Sequence, residues 1–150
     1  MNTLTIRKAD INDLEQIAVL FDHYRQFYEQ TSDIVLAKTF MVERLNIQDS
    51  VIFVAEKREG KLIGFCQIYH SFCSVIATKV GVLNDLFVDT SARKTGAGRA
   101  LMQAAHEYAA NSGLARLDLS TAKNNHPAHA LYESLGWIRD EVFYTYMKEF

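Results

Sequence analysis

From Thr3 to Lys8 the chain alternates apolar Leu4 and Ile6 with polar Thr3, Thr5 and Arg7, the period of a short strand. The period then changes. Leu14, Ile17, Leu20, Phe21, Tyr24, Phe27 and Tyr28 recur at helical steps, so one long amphipathic helix is expected, capped by Asp10 with Asp13 in its first turn and ending near Glu29. Its stripe reads as core, except that Tyr24, Phe27 and Tyr28 at the C-terminal end fit either core packing or a pocket wall. A second helix starts at Ser32 or Asp33, with Ile34, Leu36, Ala37, Phe40, Met41 and Leu45 on its apolar face. Val51–Lys57 and Lys61–Tyr69 read as strands joined at Arg58-Glu59-Gly60, with Gly64 marking a bulge or a close backbone approach. Ser71 to Gly81 reads as a loop and the start of a central strand.

The stretch from Val82 to Leu101 organises the rest. Leu83 to Val88 is rich in strand formers and is interrupted by the polar pair Asn84 and Asp85. A polar loop leads to Gly96 and Gly98, and an Ala-rich helix then runs to about Asn111, with Ser112-Gly113 as its C-cap. Strand, basic glycine-containing loop and helix start form an anion-binding corner, because helix N-termini carry free N–H groups and a favourable dipole. Arg93, Lys94 and Arg99 add positive charge, and the corner reads as the seat of a pyrophosphate. Beyond it, Ala115–Thr121 alternates as a strand, and a helix starts at the Asn124–Pro127 turn and stops at Gly136. Trp137 to Lys148 reads as a closing β-hairpin. The element order predicts one domain over residues 1–150, an α/β (α+β) sandwich with a mixed, strongly twisted sheet.

Composition narrows the function classes. Net charge is −2, which gives no reason to expect nucleic acid or an anionic membrane surface as partner. No apolar run reaches the length of a membrane span, and the first residues lack the apolar region of a signal peptide. Cys66 and Cys73 form no C-x-x-C and have no His at ligand spacing, so no metal is expected, and two reduced thiols suit the cytoplasm. A dinucleotide fingerprint fits the glycines less well. Leu101 stands where its third glycine or alanine belongs, and a whole loop separates Val88 from Gly96, although Asp118 lies where a ribose-binding acid would. No P-loop motif occurs. A plain turn before a helix is the remaining alternative for Gly96 and Gly98.

Arg93-Lys94-Thr95-Gly96-Ala97-Gly98 resembles the R/Q-x-x-G-x-G/A signature of the GNAT superfamily of acetyl-CoA-dependent N-acetyltransferases. Leu83-Asn84-Asp85-Leu86-Phe87-Val88 resembles the family's fourth strand. Asn125, Ala128, Leu131 and Tyr132 follow its second cofactor motif, N-x-x-A-x-x-L-Y. The stretches 24–30 and 50–55 and the ending Phe143-Tyr144-Thr145-Tyr146 are similar to the branch with yeast histone and D-amino-acid acetyltransferases, and the strand is similar to that of diamine acetyltransferases. The resemblance implies a partly splayed sheet of about seven strands flanked by about four helices. It also implies a homodimer and a primary amine acceptor, either a small molecule or a lysine side chain.

Carried over residue by residue, the resemblance gives these roles. The backbone of Leu86, Phe87 and Val88 would hold the pantetheine arm, with the Val88 N–H facing the thioester oxygen. The amides from Arg93 through Thr95, Gly96, Ala97 and Gly98 to Arg99 would cradle the pyrophosphate, and Asn125 would bond the cofactor arm or simply cap its helix. Tyr132 would be the general acid for the leaving thiolate, a reasonable transfer since a phenol near pKa 10 is not far from a thiol near about 8.5; its alternative is packing under the last helix. Asn84 and Asp85, with Tyr24 and Tyr28, would receive the amine. Asp85 would serve as amine-binding acid or water-relayed base, against a merely structural role. Asn84 stands where diamine enzymes tend to carry Glu, which departs from a polyamine site. A non-catalytic acyl-CoA-binding module on the same fold is the alternative of a different class; it would need neither Tyr132 nor the polar pair.

Overall fold

The computed structural model describes residues 3–150. Two compact units divide it, one running to Leu119 and one from Ser120 to Phe150.

The first unit is built on a five-stranded sheet. Its strands are β1 (Thr5–Lys8), β2 (Ser50–Glu56), β3 (Leu62–Cys73), β4 (Thr78–Val88) and β5 (Leu117–Asp118), in that spatial order. The first three pairings are antiparallel, and β4–β5 is parallel. Helices α1 (Leu14–Phe27) and α2 (Ile34–Ile47) precede β2, and α3 (Ala97–Asn111) connects β4 to β5. Asp10 caps a short 3-10 turn ahead of α1. Its carboxylate accepts the Asn12 N–H at 2.8 Å while Asp13 accepts the Asp10 N–H at 2.9 Å, a reciprocal box that spends donors a helix start would leave unpaired. Arg7 clamps the same corner, bonding both Asp13 oxygens at 2.8 Å and pairing with Glu56 on β2. Those bonds hold the Asp13 carboxyl below its usual range.

Alternation along the strands sorts the two layers. Ile52, Val54 and Phe65 join Phe87, Ile17, Phe21, Ala37 and Met41 in one apolar cluster under α1 and α2. Phe53 and Cys66 point the other way, where Phe53 meets the Tyr108 ring of α3 and the Cys66 thiol reaches the Leu101 carbonyl. Burial pushes that thiol up to about 12, which makes it an inert core group.

Three expectations need correction. Ser71–Gly81 is no long loop: β3 continues to Cys73 and β4 starts at Thr78, so the central hairpin is longer than the mixed polarity of Ser71, Cys73 and Ser74 suggested. The strand expected over Ala115–Thr121 shrinks to Leu117–Asp118. No strand forms over Trp137–Lys148, so the sheet has five strands and not about seven. A strand needs a hydrogen-bonded neighbour, and none pairs with that segment, whose Val142 N–H is instead taken by the Asp140 side chain at 2.9 Å.

Gly64 is a place of close approach. A Cβ there would stand 2.8 Å from the Phe87 carbonyl oxygen, a backbone atom that cannot swing away. Gly64→Ala is expected to destabilise the first unit by about 1–3 kcal/mol, the usual cost of overpacking. An unchanged midpoint in urea unfolding would show that β3 and β4 can part at this point without cost.

The second unit holds α4 (His126–Ser134) and the segment after it. Asn125 is the N-cap of α4, Pro127 lies in its first turn, and Gly136, at φ 89°, follows its end.

Candidate active site

The anion corner is assembled where β4 ends. Asp89 opens the loop by accepting the Ser91 N–H at 3.2 Å, Ala92 is buried beneath it, and the Thr95 hydroxyl donates to the Ala92 carbonyl at 2.8 Å. Lys94 and Gly96 both adopt positive φ, 63° and 84°. Such reversals turn successive N–H groups to one side and make a concave nest for an anion. Gly96 is the N-cap of α3 and offers no side chain to its first turn; the first bond of the helix runs from Ala100 N to Gly96 O at 3.0 Å. The amides of Ala97 and Gly98 precede the first helical bond and point where the helix dipole favours negative charge. Arg93 lies beside them. It donates to the Val88 carbonyl at 3.4 Å and holds its guanidinium 5.7 Å from the Phe27 ring centre, which ties the loop to the end of α1.

Next to this corner the sheet edge opens. β5 pairs with β4 only at Gly81↔Leu117 and Val82↔Asp118. Among the described residues no strand pairs with that edge from Leu83 to Val88. Leu86, Phe87 and Val88 thus lie on a stretch of β4 whose outer edge no described strand takes up, just ahead of the nest in the chain.

The polar pair sits in a bulge. Gln67 is opposite Asp85 and Ile68 opposite Leu83, so Asn84 has no partner on β3. Residues paired across a ladder share a face, so the bulge sends Leu83 and Asp85 to opposite sides, which plain alternation would not do. Asn84 is exposed, whereas Asp85 is 4% exposed and faces the layer of α1 and α2. The Asp85 carboxylate accepts Gln67 Nε2 at 2.8 Å and Asn84 Nδ2 at 3.0 Å. The Tyr24 hydroxyl donates to the Asn84 carbonyl at 3.2 Å. Burial raises the Asp85 pKa, and the bonds from Gln67, Tyr24 and Asn84 only partly offset it. Tyr24 belongs to an aromatic wall with Tyr28 at 5.2 Å, Phe65 at 5.8 Å and Phe87 at 6.0 Å between ring centres. Tyr24 is half-buried and Tyr28 exposed, so the end of the α1 stripe serves core and surface together.

The raised Asp85 pKa has a consequence for stability. A carboxyl titrating higher in the folded chain than in the unfolded one weakens folding as pH rises from the unfolded value, near about 3.9, to the folded one. The thermal midpoint of the wild type minus that of Asp85→Asn should therefore fall across this window and stay low above it. A difference that rises with pH would mean that the bonds to Asp85 outweigh its burial.

Asp22, Gln67 and Ser50 were not singled out from the sequence. Asp22 is 5% exposed and anchors the turn between α1 and α2, accepting Ser32 Oγ at 2.6 Å and the Asp33 N–H at 2.8 Å. Burial pushes its pKa up, but Ser32, the Asp33 amide and Arg25 outweigh that and leave it below the usual value. Gln67 had a readable signal, since it is a polar residue on the same strand face as Phe65.

In the second unit the Asn125 side chain accepts the Ala128 N–H at 3.4 Å, a long cap bond. The Tyr132 ring lies 6.2 Å from that of Trp137, and the Tyr132 carbonyl accepts the Trp137 N–H at 3.1 Å. The structure thus brings Leu86–Val88, Arg93–Arg99, Asn84, Asp85, Tyr24 and Tyr28 together in one unit, while Asn125 and Tyr132 share α4 in the other.

No group of three or more His, Cys, Asp or Glu residues able to hold a metal occurs among the described residues, and none of their helices is long and apolar enough to cross a membrane. Comparison with known proteins agrees with the geometry. The family model described as acetyltransferase (GNAT) family matches residues 15–137. The uncharacterized N-acetyltransferase YhfO of Bacillus subtilis (strain 168) is 43% identical over 143 residues, which cover 95% of each chain. The D-amino-acid N-acetyltransferase HPA3 of Saccharomyces cerevisiae (strain ATCC 204508 / S288c) is 26% identical over 94% of this chain and 89% of its own. The crystal structure of a probable acetyltransferase superposes with a TM-score of 0.91 at 35% identity, over 97% of both chains. With the fold, the nest and the family match in agreement, this chain belongs to the GNAT family and is an acetyltransferase.

Proposed function

We propose that this enzyme moves the acetyl group of acetyl-CoA to a primary amine, on a small molecule or a lysine side chain, by direct attack in a ternary complex. One observation carries the reading: an edge of β4, Leu83–Val88, that no strand among the described residues pairs leads through the Asp89–Thr95 loop to a nest at a helix start without a side-chain cap. An extended arm ending in a pyrophosphate fits that sequence of backbone groups. Leu86, Phe87 and Val88 bind the pantetheine arm, and the Val88 N–H faces the thioester oxygen as it becomes negative. The amides of Arg93 to Arg99 hold the pyrophosphate. The neutral amine nitrogen attacks the thioester carbon and the C–S bond breaks. The proton that the nitrogen sheds passes through water with Asp85 as the base, Tyr132 gives its phenolic proton to the departing thiolate, and the phenolate regains a proton from solvent. Asn125 bonds the arm. Asn84 and Asp85 receive the amine, with Tyr24 and Tyr28 beside them.

One acetyltransferase domain spans residues 1–150 in this reading; the family match over 15–137 crosses both units. We place the chain in the cytoplasm as a homodimer. Its free thiols, Cys66 and Cys73, suit the first, and the exposed side chains of Ile138, Val142, Phe143, Tyr144 and Tyr146 suit the second. Light scattering behind a sizing column tests the dimer, and a monomer mass removes it.

The donor half is tested by calorimetric titration with acetyl-CoA, with NAD as competitor. Acetyl-CoA should bind at one site per chain, and a saturating excess of NAD should leave that binding intact. Displacement by NAD would convert the corner into a dinucleotide site.

A further inference from the structure

Behind the exposed Asn84 a chain of hydrogen bonds runs into the sheet. The Ser50 hydroxyl of β2 donates to Gln67 Oε1 at 2.7 Å, and Gln67 Nε2 donates to Asp85 Oδ2 at 2.8 Å. Asn84 Nδ2 donates to the other carboxylate oxygen, Oδ1, at 3.0 Å. Gln67 is 0% exposed, so its amide does not reach bulk solvent. A polar side chain this deep is costly unless each end is matched, and here each end is.

The chain has a direction. An ionised carboxylate only accepts, so both amides that touch it must offer their NH2 groups. Ser50 secures the Gln67 end by taking the carbonyl. At the Asn84 end the same logic leaves one group over, the side-chain carbonyl Oδ1, on a residue that is exposed. No cation fixes this arrangement. The groups acting on the carboxylate are Gln67 of β3, Tyr24 of α1 and Asn84 itself, all neutral donors. The two other titratable groups of β3 that feel Asp85, Cys66 and Tyr69, are pushed up to about 12 and stay neutral.

We propose that Gln67 is a positioning residue for the acceptor: held by Ser50, it fixes the Asp85 carboxylate, and Asp85 in turn makes Asn84 present its carbonyl Oδ1 outward to accept an N–H of the incoming amine. This rests on the reading that β4 receives the amine. It refines how the polar pair receives the amine: Asn84 touches the acceptor, and Asp85 holds Asn84 in place. An amine needs at least one N–H to be held there, so the site selects primary and secondary amines over quaternary ions of equal charge.

The test uses isotopically labelled full-length protein with CoA present, titrated with butylammonium and with butyltrimethylammonium chloride while the Asn84 side-chain NH2 and the β4 amides are followed by NMR. Butylammonium should shift both sets of signals. Butyltrimethylammonium, which has no N–H, should act only at about five- to tenfold higher concentration, the worth of one hydrogen bond. Gln67→Leu should raise the butylammonium midpoint by a similar factor, and Ser50→Ala, at the half-buried outer end of the chain, should raise it less. In Gln67→Glu the two facing carboxyls share one proton. The wild-type response should therefore persist at low pH and fade as pH rises past the upper apparent pKa of the pair. Were Gln67→Leu not to fold, Ser50→Ala and the pH profile of Gln67→Glu decide. No response of β4 in the wild type overturns the acceptor reading and the proposal together. A response whose midpoint is the same in wild type, Gln67→Leu and Ser50→Ala, or the same for both ammonium ions, overturns the positioning role alone.

Discussion

Tyr132→Phe should lower kcat by about two orders of magnitude or more, the usual worth of a positioned general acid, and leave the Kd for acetyl-CoA nearly unchanged. The substitution keeps the ring that lies 6.2 Å from Trp137 and removes only the hydroxyl, so the packing around α4 survives. Without the phenol, the thiolate must leave unprotonated or find a proton in water. The loss should therefore shrink for acyl donors whose thiols are more acidic. Single-turnover kinetics beside calorimetry separates the two effects. A collapse of affinity with kcat preserved would make Tyr132 a binding residue and end its role as acid.

Gly96→Val should raise the Kd for acetyl-CoA at least tenfold. Gly96 has φ 84°, a left-handed conformation that costs a side-chain-bearing residue about 1–2 kcal/mol and a β-branched one more. A Cβ there meets nothing within 4 Å, so the variant folds without a clash and the strain falls on the backbone alone. The chain relieves it by rotating Gly96 out of the left-handed region, which turns the amides of Ala97 and Gly98 away from the proposed pyrophosphate seat. The KM for acetyl-CoA should rise while kcat at saturation changes little, the pattern of lost ground-state binding. Arg93→Ala removes one exposed charge and should cost less, with an effect that shrinks at high salt. Equal affinity in Gly96→Val and wild type would mean that side-chain charge, and not the amide nest, holds the donor.

Much of this was legible before the structure, and the reasons are physical. Helices α1 and α3 announce themselves because an apolar stripe at helical spacing has few other readings, and Asp10 and Asp33 mark helix starts by the chemistry of capping. The loop and helix start from Arg93 to Gly98 were legible because a glycine pair between a strand pattern and an Ala-rich helical pattern marks such a turn. Strand ends were not. β5 and the segment after Trp137 carry strand-forming residues, but a strand is a property of a pair, and the sequence of one segment says nothing about its neighbour. The bulge at Asn84 was equally hidden, because register is set across two strands. Its effect is large: it sends Leu83 and Asp85 to opposite faces and puts Asp85 inside. Gln67 shows the opposite case, a polar residue on an apolar strand face whose signal was present in the sequence but was not singled out.

The central claim is acetyl transfer to an amine, and its most direct test is thiol release from acetyl-CoA with mass analysis of the product. The panel holds D- and L-amino acids, diamines and polyamines, aminoglycosides and a lysine peptide. The account predicts that one amine class gives thiol release well above the uncatalysed rate, with a product one acetyl group heavier and one CoA freed per product. Bound acetyl-CoA with no acetylated product from any member of the panel would contradict it and leave an acyl-CoA-binding module on the same fold.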